Sequence, residues 1–330
     1  MNSENRFDKR LKVIPAEIWS KVTQIEELKG QWTGGVKLNP QVLGRLKKSV
    51  LVTSTGASTR IEGAHLTDED VEKLMRGLTM QKFANRDKQE VKGYYELLQN
   101  VFDSWQHLKF NESLIKHFHK VLLKSVEKDK LHREDYKKTE NKVEMKELVE
   151  WTRNALENKR VHPLVVVANY IVEFLNIHPF QDGNGRSSRI LTNLLMLHSG
   201  YLYMPYVSHE KLVEDHKSEY YIALRKSQRT IKTDREDITA WLDFFLGVVH
   251  QQSKMAVALL SQENIEKTLS PKQLAVWQYL QTVEETSPGE ISKKAKVARP
   301  TVNQALDKLL RLKKIERIGL GRTTRYIKIK

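Results

Sequence analysis

His178-Pro179-Phe180-Gln181-Asp182-Gly183-Asn184-Gly185-Arg186-Ser187-Ser188-Arg189 decides the reading of this 330-residue chain. An apolar helix-like run, Leu164–Ile177, stops just before it, interrupted by Asn169, Glu173 and Asn176. Pro179 cannot continue that helix as an ordinary interior residue. Gly183, Asn184 and Gly185 all tolerate positive φ, so the turn can aim successive N–H groups at one point. A new helix follows at once, and its N-terminus addresses the same point. Arg186 and Arg189, three apart, share a face of that helix. The natural guest of such a place is a polyphosphate. Asp182 adds a carboxylate, which beside phosphates holds Mg²⁺ rather than facing them bare. His178 titrates near neutrality and is a candidate general base for a hydroxyl. Phe180, apolar within a polar loop, is expected to plug into the core. A zinc site on His178 and Asp182 lacks a third ligand at helical spacing. A dinucleotide fold lacks both the preceding strand and GxGxxG.

The string resembles the Fic-domain signature, HPFx[DE]GNGRxxR, at every defined position. The resemblance covers roughly residues 40–250. It implies a mainly α fold, a Fic-type helical core with an N-terminal helical extension, and transfer of AMP from ATP to a protein hydroxyl. It also implies roles. His178 would deprotonate a Ser, Thr or Tyr of the target. Asp182 would bind Mg²⁺ between the α- and β-phosphates. Gly183, Asn184 and Gly185 would form the anion hole. Arg186 would contact the phosphates at the scissile bond, Arg189 would hold the γ-phosphate, and Phe180 would anchor the loop. The family's β-hairpin flap has little room here, because Tyr136–Val143 runs straight into a helix-like pattern at Glu144–Leu148.

Upstream, Ser58-Thr59-Arg60-Ile61-Glu62-Gly63 fits [ST]xxxE[GN], which resembles the inhibitory motif of the same family. Ser58 and Glu62, four apart, share a helix face. A glutamate near Arg189 would pair with it by a charge-assisted bond and compete with the γ-phosphate. The sequence thus reads as an autoinhibited protein adenylyltransferase. Two alternatives share the pocket: a nucleotide-sensing, DNA-binding regulator, and an enzyme that removes AMP with Glu62 positioning a water.

The chain has no cysteine, which removes disulfide scaffolds, thiolate nucleophiles and Cys-ligated metals. No run reaches the roughly 18 apolar residues of a membrane helix. The start, MNSENRFDKR, has no apolar signal region, so a cytoplasmic protein without membrane contact is expected. Helical spacing is read around Ile18–Leu28 (ending at Gly34–Gly35), Pro40–Thr53, and Asp87–Val126. A Gly/Ser/Thr cluster at Thr53–Thr59 is expected to interrupt, Thr67 to cap a further helix, and Glu127–Val143 to be loop or short hairpin. Two helices follow at Val143–Asn158 and Pro163–Ile177, and another covers Asp237–Lys267. The expected domains are 1–95, an N-terminal helical region with the inhibitory motif; 96–260, the catalytic core; and 265–330.

Residues 271–330 carry 14 Lys/Arg against five acids, a net +9 of the chain's +15. Such a basic tail points to a polyanion, most simply nucleic acid. Its pattern is three helices and a hairpin, which resembles a small α+β winged helix-turn-helix domain. On that resemblance Arg299, Thr301, Asn303, Gln304 and Lys308 would face DNA from the third helix, and Arg322 and Arg325 from the wing. Expected partners are therefore ATP, a protein target with a hydroxyl side chain, and DNA. A homodimer is also compatible with the sequence.

Overall fold

Every residue from Leu164 to Leu175 is buried, so the helix they form is the axis around which the first part of the chain is built. A helix buried on every side is a core helix rather than a surface one. The structure, a computed structural model, describes residues 5–35, 40–77, 85–124, 135–312, 314–319 and 324–329. At 85–87 and 261–268 it describes the backbone alone. The chain divides into two compact units, 1–257 and 258–330.

The first unit opens with α1 (Arg6–Arg10), α2 (Ala16–Gly35), α3 (Pro40–Ile61) and α4 (Asp68–Met75). Then come α5 (Asn85–Ser104), a 3-10 turn (Trp105–His107), α6 (Glu112–Leu122) and α7 (Thr139–Asn158). The apolar run is α8 (Pro163–Ile177), followed by α9 (Asn184–His198), a second 3-10 turn (Met204–Tyr206), α10 (His209–Asp215) and α11 (Lys217–Gln228). The long α12 (Thr239–Thr268) runs past the boundary between the units. Around α8 pack α7, α9 and α11, while α3 lies against α4, α5 and α10.

The polar residues of α8 are answered by α1. Arg10 donates to Asn169 Oδ1 (2.7 Å) and to Glu173 Oε2 (2.7 Å), and Arg6 reaches Glu173 Oε1 at 2.5 Å. Burial alone would raise the Glu173 carboxyl, but the two guanidiniums hold it below the ordinary carboxylate range. α1, five residues long, was not legible from periodicity.

Three local expectations change. The Thr53–Thr59 cluster does not interrupt the chain: α3 continues through it to Ile61, with Ser54 to Thr59 all buried. Tertiary partners override the weak propensities there. Ser54 Oγ meets Ser208 Oγ at 2.8 Å, and Thr59 Oγ1 bonds back to Thr55 O at 2.9 Å. The expected helical stretch 87–126 is two helices, α5 and α6, broken after Ser104. Of the 127–143 segment, 127–134 lie outside the described residues, and α7 already begins at Thr139. Thr67 caps α4 as its sequence predicts, in a reciprocal box with Asp70.

The second unit holds α13 (Pro271–Leu280), β1 (Glu285–Thr286), α14 (Pro288–Lys294), α15 (Arg299–Arg311), β2 (Ile315–Ile318) and β3 (Arg325–Lys328). Ser270 and Ser287 start α13 and α14 with capping boxes to Gln273 and Glu290, each with Pro in the first turn. Val276, Trp277, Leu280, Ile291, Val302, Leu306, Leu309 and Tyr326 form one core. The sheet is antiparallel with order β1-β3-β2, Ile315 facing Lys328 and Ile318 facing Arg325. The two-residue β1 completes the sheet and was not expected from sequence.

Candidate active site

His178 ends α8 in the left-handed region, φ 50°, with its N–H on Phe174 O at 2.9 Å. Such a conformation is uncommon for a residue other than glycine, and the loop that follows holds it in place. Asn184 staples that loop: its Oδ1 accepts from Phe180 N (2.9 Å), and its Nδ2 donates to Phe180 O (2.7 Å). Phe180 is fully buried, as expected. It stacks on the His119 ring at 3.8 Å and 4° between planes, with Tyr136 beside it at 5.3 Å. His119, from α6, also donates through Nε2 to Asp182 O at 3.0 Å. The histidine thus clamps both the anchor and the backbone of the loop. Nothing in the sequence near 119 announces this; only the fold brings it there.

The glycines act differently from the sequence expectation. Among Gly183, Asn184 and Gly185, Gly183 alone takes positive φ (76°), while Asn184 and Gly185 already belong to α9. What the turn offers an anion is therefore the N-terminus of a 15-residue helix rather than a run of left-handed residues. Gly185 leaves room for the Glu62 carboxylate. A Cβ there would overlap Glu62 Oε1 and stand 3.3 Å from Arg189 Nη1.

The two arginines have separate partners. Arg186 is buried between Glu90 Oε2 (2.7 Å) and Asp182 Oδ2 (3.0 Å). Glu90, on α5, was not anticipated. Arg189, equally buried, donates through Nε to Ser58 Oγ (2.7 Å) and through Nη2 to Ser58 O (2.9 Å) and Glu62 Oε1 (2.7 Å). Ser58 lies in α3, Glu62 is the first residue past its end, and Gly63 follows at φ 101°. Burial would raise the Glu62 carboxyl, but Arg189 and then Arg186 hold it below its usual range, so it is a carboxylate at neutral pH. The end of α3 is itself tied down, because Arg60 makes two bonds to Glu214, at 2.5 and 3.0 Å.

His178 keeps an exposed side chain. Burial of part of the ring and the ammonium of Lys137 hold its pKa below the ordinary value, against the opposing pull of Glu62 and Asp182. It is neutral at pH 7, the state a general base needs. Asp182 accepts from Gly183 N (2.6 Å) and from Arg186. No group of three or more His, Cys, Asp or Glu side chains fit for a metal occurs among the described residues. One carboxylate suits Mg²⁺ only when phosphates supply further ligands, so Asp182 fits a cation arriving with a nucleotide.

In the second unit, Arg299, Asn303 and Gln304 lie exposed on α15, Thr301 and Lys308 are half-buried on the same helix, and Arg325 is on β3. Arg322 lies outside the described residues. No described helix is long and apolar enough to cross a membrane.

Comparison with known proteins agrees with this geometry. The sequence model of the Fic/DOC family matches residues 101–196. A "Protein adenylyltransferase Fic" of Culex quinquefasciatus is 32% identical over 117 residues, 34% of this chain and 22% of that one. A probable protein adenylyltransferase of Aquifex aeolicus is 28% identical over 136 residues, 39% of this chain and 42% of that one. The chain thus spans less than half the length of these curated relatives. The crystal structure of a Fic family protein from Desulfovibrio desulfuricans shares the fold over 97% of this chain and 98% of its own, with TM-score 0.63 and 22% identity. A Fic-domain signalling protein from Bacteroides thetaiotaomicron does so over 72% of this chain and 98% of its own, with TM-score 0.63 and 20% identity. The stretch 101–196, with its buried anchor, its stapled turn and two arginines in the opening turns of α9, is thus similar in sequence to the Fic/DOC family, and the chain shares the fold of solved Fic proteins.

Proposed function

We propose that the chain is a protein adenylyltransferase held in check by Glu62. It transfers AMP from ATP to a Ser, Thr or Tyr hydroxyl, on itself or on a target protein, and releases pyrophosphate. One observation carries the reading: a native carboxylate, Glu62, reaches the foot of α9 and pairs with Arg189 there at 2.7 Å. An anion already sits where the helix N-terminus and a buried guanidinium would receive a phosphate. The neutral His178 imidazole stands at the loop before that helix. The names of the relatives point the same way.

In this reading the ATP tail lies along the α9 N-terminus, with Arg189 on its terminal phosphate and Arg186 at the bond that breaks. Magnesium, held by Asp182 and the phosphates, would neutralise charge developing on pyrophosphate. His178 takes the proton of the attacking hydroxyl. Phe180, His119 and Asn184 keep the loop in register, and misplacement by an ångström can cost about 100-fold. The test is transfer of label from α-labelled ATP with Mg²⁺ onto protein, dependent on His178. Nucleotide binding without transfer in every variant would replace this reading by a nucleotide sensor.

For the second unit, DNA binding is favoured by its charge and by the exposed polar face of α15. The order of helices and strands resembles that of a winged helix, which supports this reading. We expect duplex DNA binding by the full chain whose affinity falls steeply with salt. Replacing both Arg299 and Lys308 by alanine should flatten the log–log salt slope by about 2 if each contacts a phosphate. Equal slopes, or no binding at low salt, would assign the unit to protein docking instead.

A further inference from the structure

Lys137 stands just before α7, in the stretch where a docking flap was expected to be short. Its backbone N–H donates to Pro179 O at 2.8 Å, which fixes the residue to the signature loop itself. Its Nζ lies 2.8 Å from His178 Nδ1. An ammonium has donors and no lone pair, so Nδ1 must be the acceptor in this contact. The Asn184 Nδ2 group, 3.2 Å away, is a second donor to the same nitrogen. Its orientation is set by its bonds to the backbone of Phe180, so it cannot turn its oxygen toward the ring. Two donors on Nδ1 leave one neutral tautomer, with the ring proton on Nε2.

We propose that Lys137 is a positioning residue that holds His178 in the Nε2–H tautomer and covers Nδ1, the nitrogen that accepts the proton of the attacking hydroxyl. This rests on the transferase reading above and deepens it. In the step, the hydroxyl takes the place of the Lys137 ammonium at Nδ1. Its proton passes to Nδ1 as its oxygen bonds the α-phosphorus. The bond from that phosphorus to the bridging oxygen breaks, and pyrophosphate leaves with its electron pair. The imidazolium, carrying protons on both nitrogens, returns one to water. Lys137 and Glu62 are then independent controls. Glu62 governs the seat of the terminal phosphate, and Lys137 governs which ring nitrogen is basic and when it is uncovered.

The charged groups facing His178 come from three elements. Lys137 adds positive charge from the segment before α7, where Lys138 in turn acts on Lys137; Glu62 adds negative charge from the end of α3, and Asp182 does so from the loop. Removing the Lys137 side chain takes away the cation in contact with the ring while Glu62 and Asp182 stay.

The experiment is a nitrogen-15 NMR titration of His178 in the full chain labelled at histidine, with the signal identified by its loss in His178→Gln. The wild type is expected to show the neutral ring protonated at Nε2. In Lys137→Met the midpoint should move upward, and in Lys137→Arg, which keeps the charge and the donor, it should stay near the wild-type position. The lysine's backbone bond to Pro179 survives both changes, so the spectra report the side chain rather than the fold. The acid limb of self-labelling, measured in a Glu62→Gly background, should move upward in Lys137→Met together with the NMR midpoint. A neutral ring protonated at Nδ1, or a midpoint unmoved in Lys137→Met, overturns the proposal even if label transfer is robust. Absence of label transfer in all variants overturns the transferase reading, while the NMR result still decides the tautomer.

Discussion

Glu62→Gly is expected to raise AMP transfer, read as labelled self-modification, about 10–100-fold, the size of a coupling of 1–3 kcal/mol. Three features make the effect large. The carboxylate is charged at neutral pH and sits 2.7 Å from a buried guanidinium. A terminal phosphate would have to displace it. The substitution itself costs little, because Glu62 lies past the last residue of α3 and glycine there breaks no helix. Arg189 keeps its two bonds to Ser58, so the guanidinium stays aimed at the site when the glutamate is gone. An unchanged rate in this variant would reject the brake and leave Glu62 as a structural partner of Arg189.

His178→Ala in that activated background should reduce transfer by about 10²–10⁴-fold, the usual worth of a positioned general base, with ATP binding unchanged. The pH dependence follows from the same residue. A base works when neutral, and burial and Lys137 depress the His178 pKa. Its neutral form therefore persists to lower pH than an ordinary histidine, and the acid limb of activity should fall below pH 6.5. A limb at higher pH would show that another group, or a charged His178, sets the rate. Loss of ATP affinity in His178→Ala would mean the ring serves the nucleotide rather than the proton.

Much of this site was legible because it is local. Twelve consecutive residues carry the helix end, the turn, the anchor and both arginines. The pattern Ser58–Glu62 was visible for the same reason, and the structure brings both residues onto Arg189 as that spacing allowed. What the sequence hid depends on contacts across long separations. His119 and Lys137 reach the loop from α6 and the approach to α7, Glu90 reaches Arg186 from α5, and each reads locally as an ordinary residue of a polar stretch or helix face. Gly56 shows the converse. It looks like a helix breaker, yet a side chain there would crowd Arg60 and Asp68, whose ion pair at 3.0 Å needs the space. Gly185 does not take the left-handed backbone its type allows, and its missing side chain instead gives clearance to Glu62.

Calorimetry with ATP and Mg²⁺ tests the central claim most directly, since it asks whether the α9 N-terminus and Arg189 receive a nucleotide tail that Glu62 excludes. The account predicts binding in Glu62→Gly that is at least about tenfold tighter than in the wild type and that is abolished by adding Arg189→Ala. Equal affinities with and without Glu62, or no heat of binding in Glu62→Gly, would contradict it.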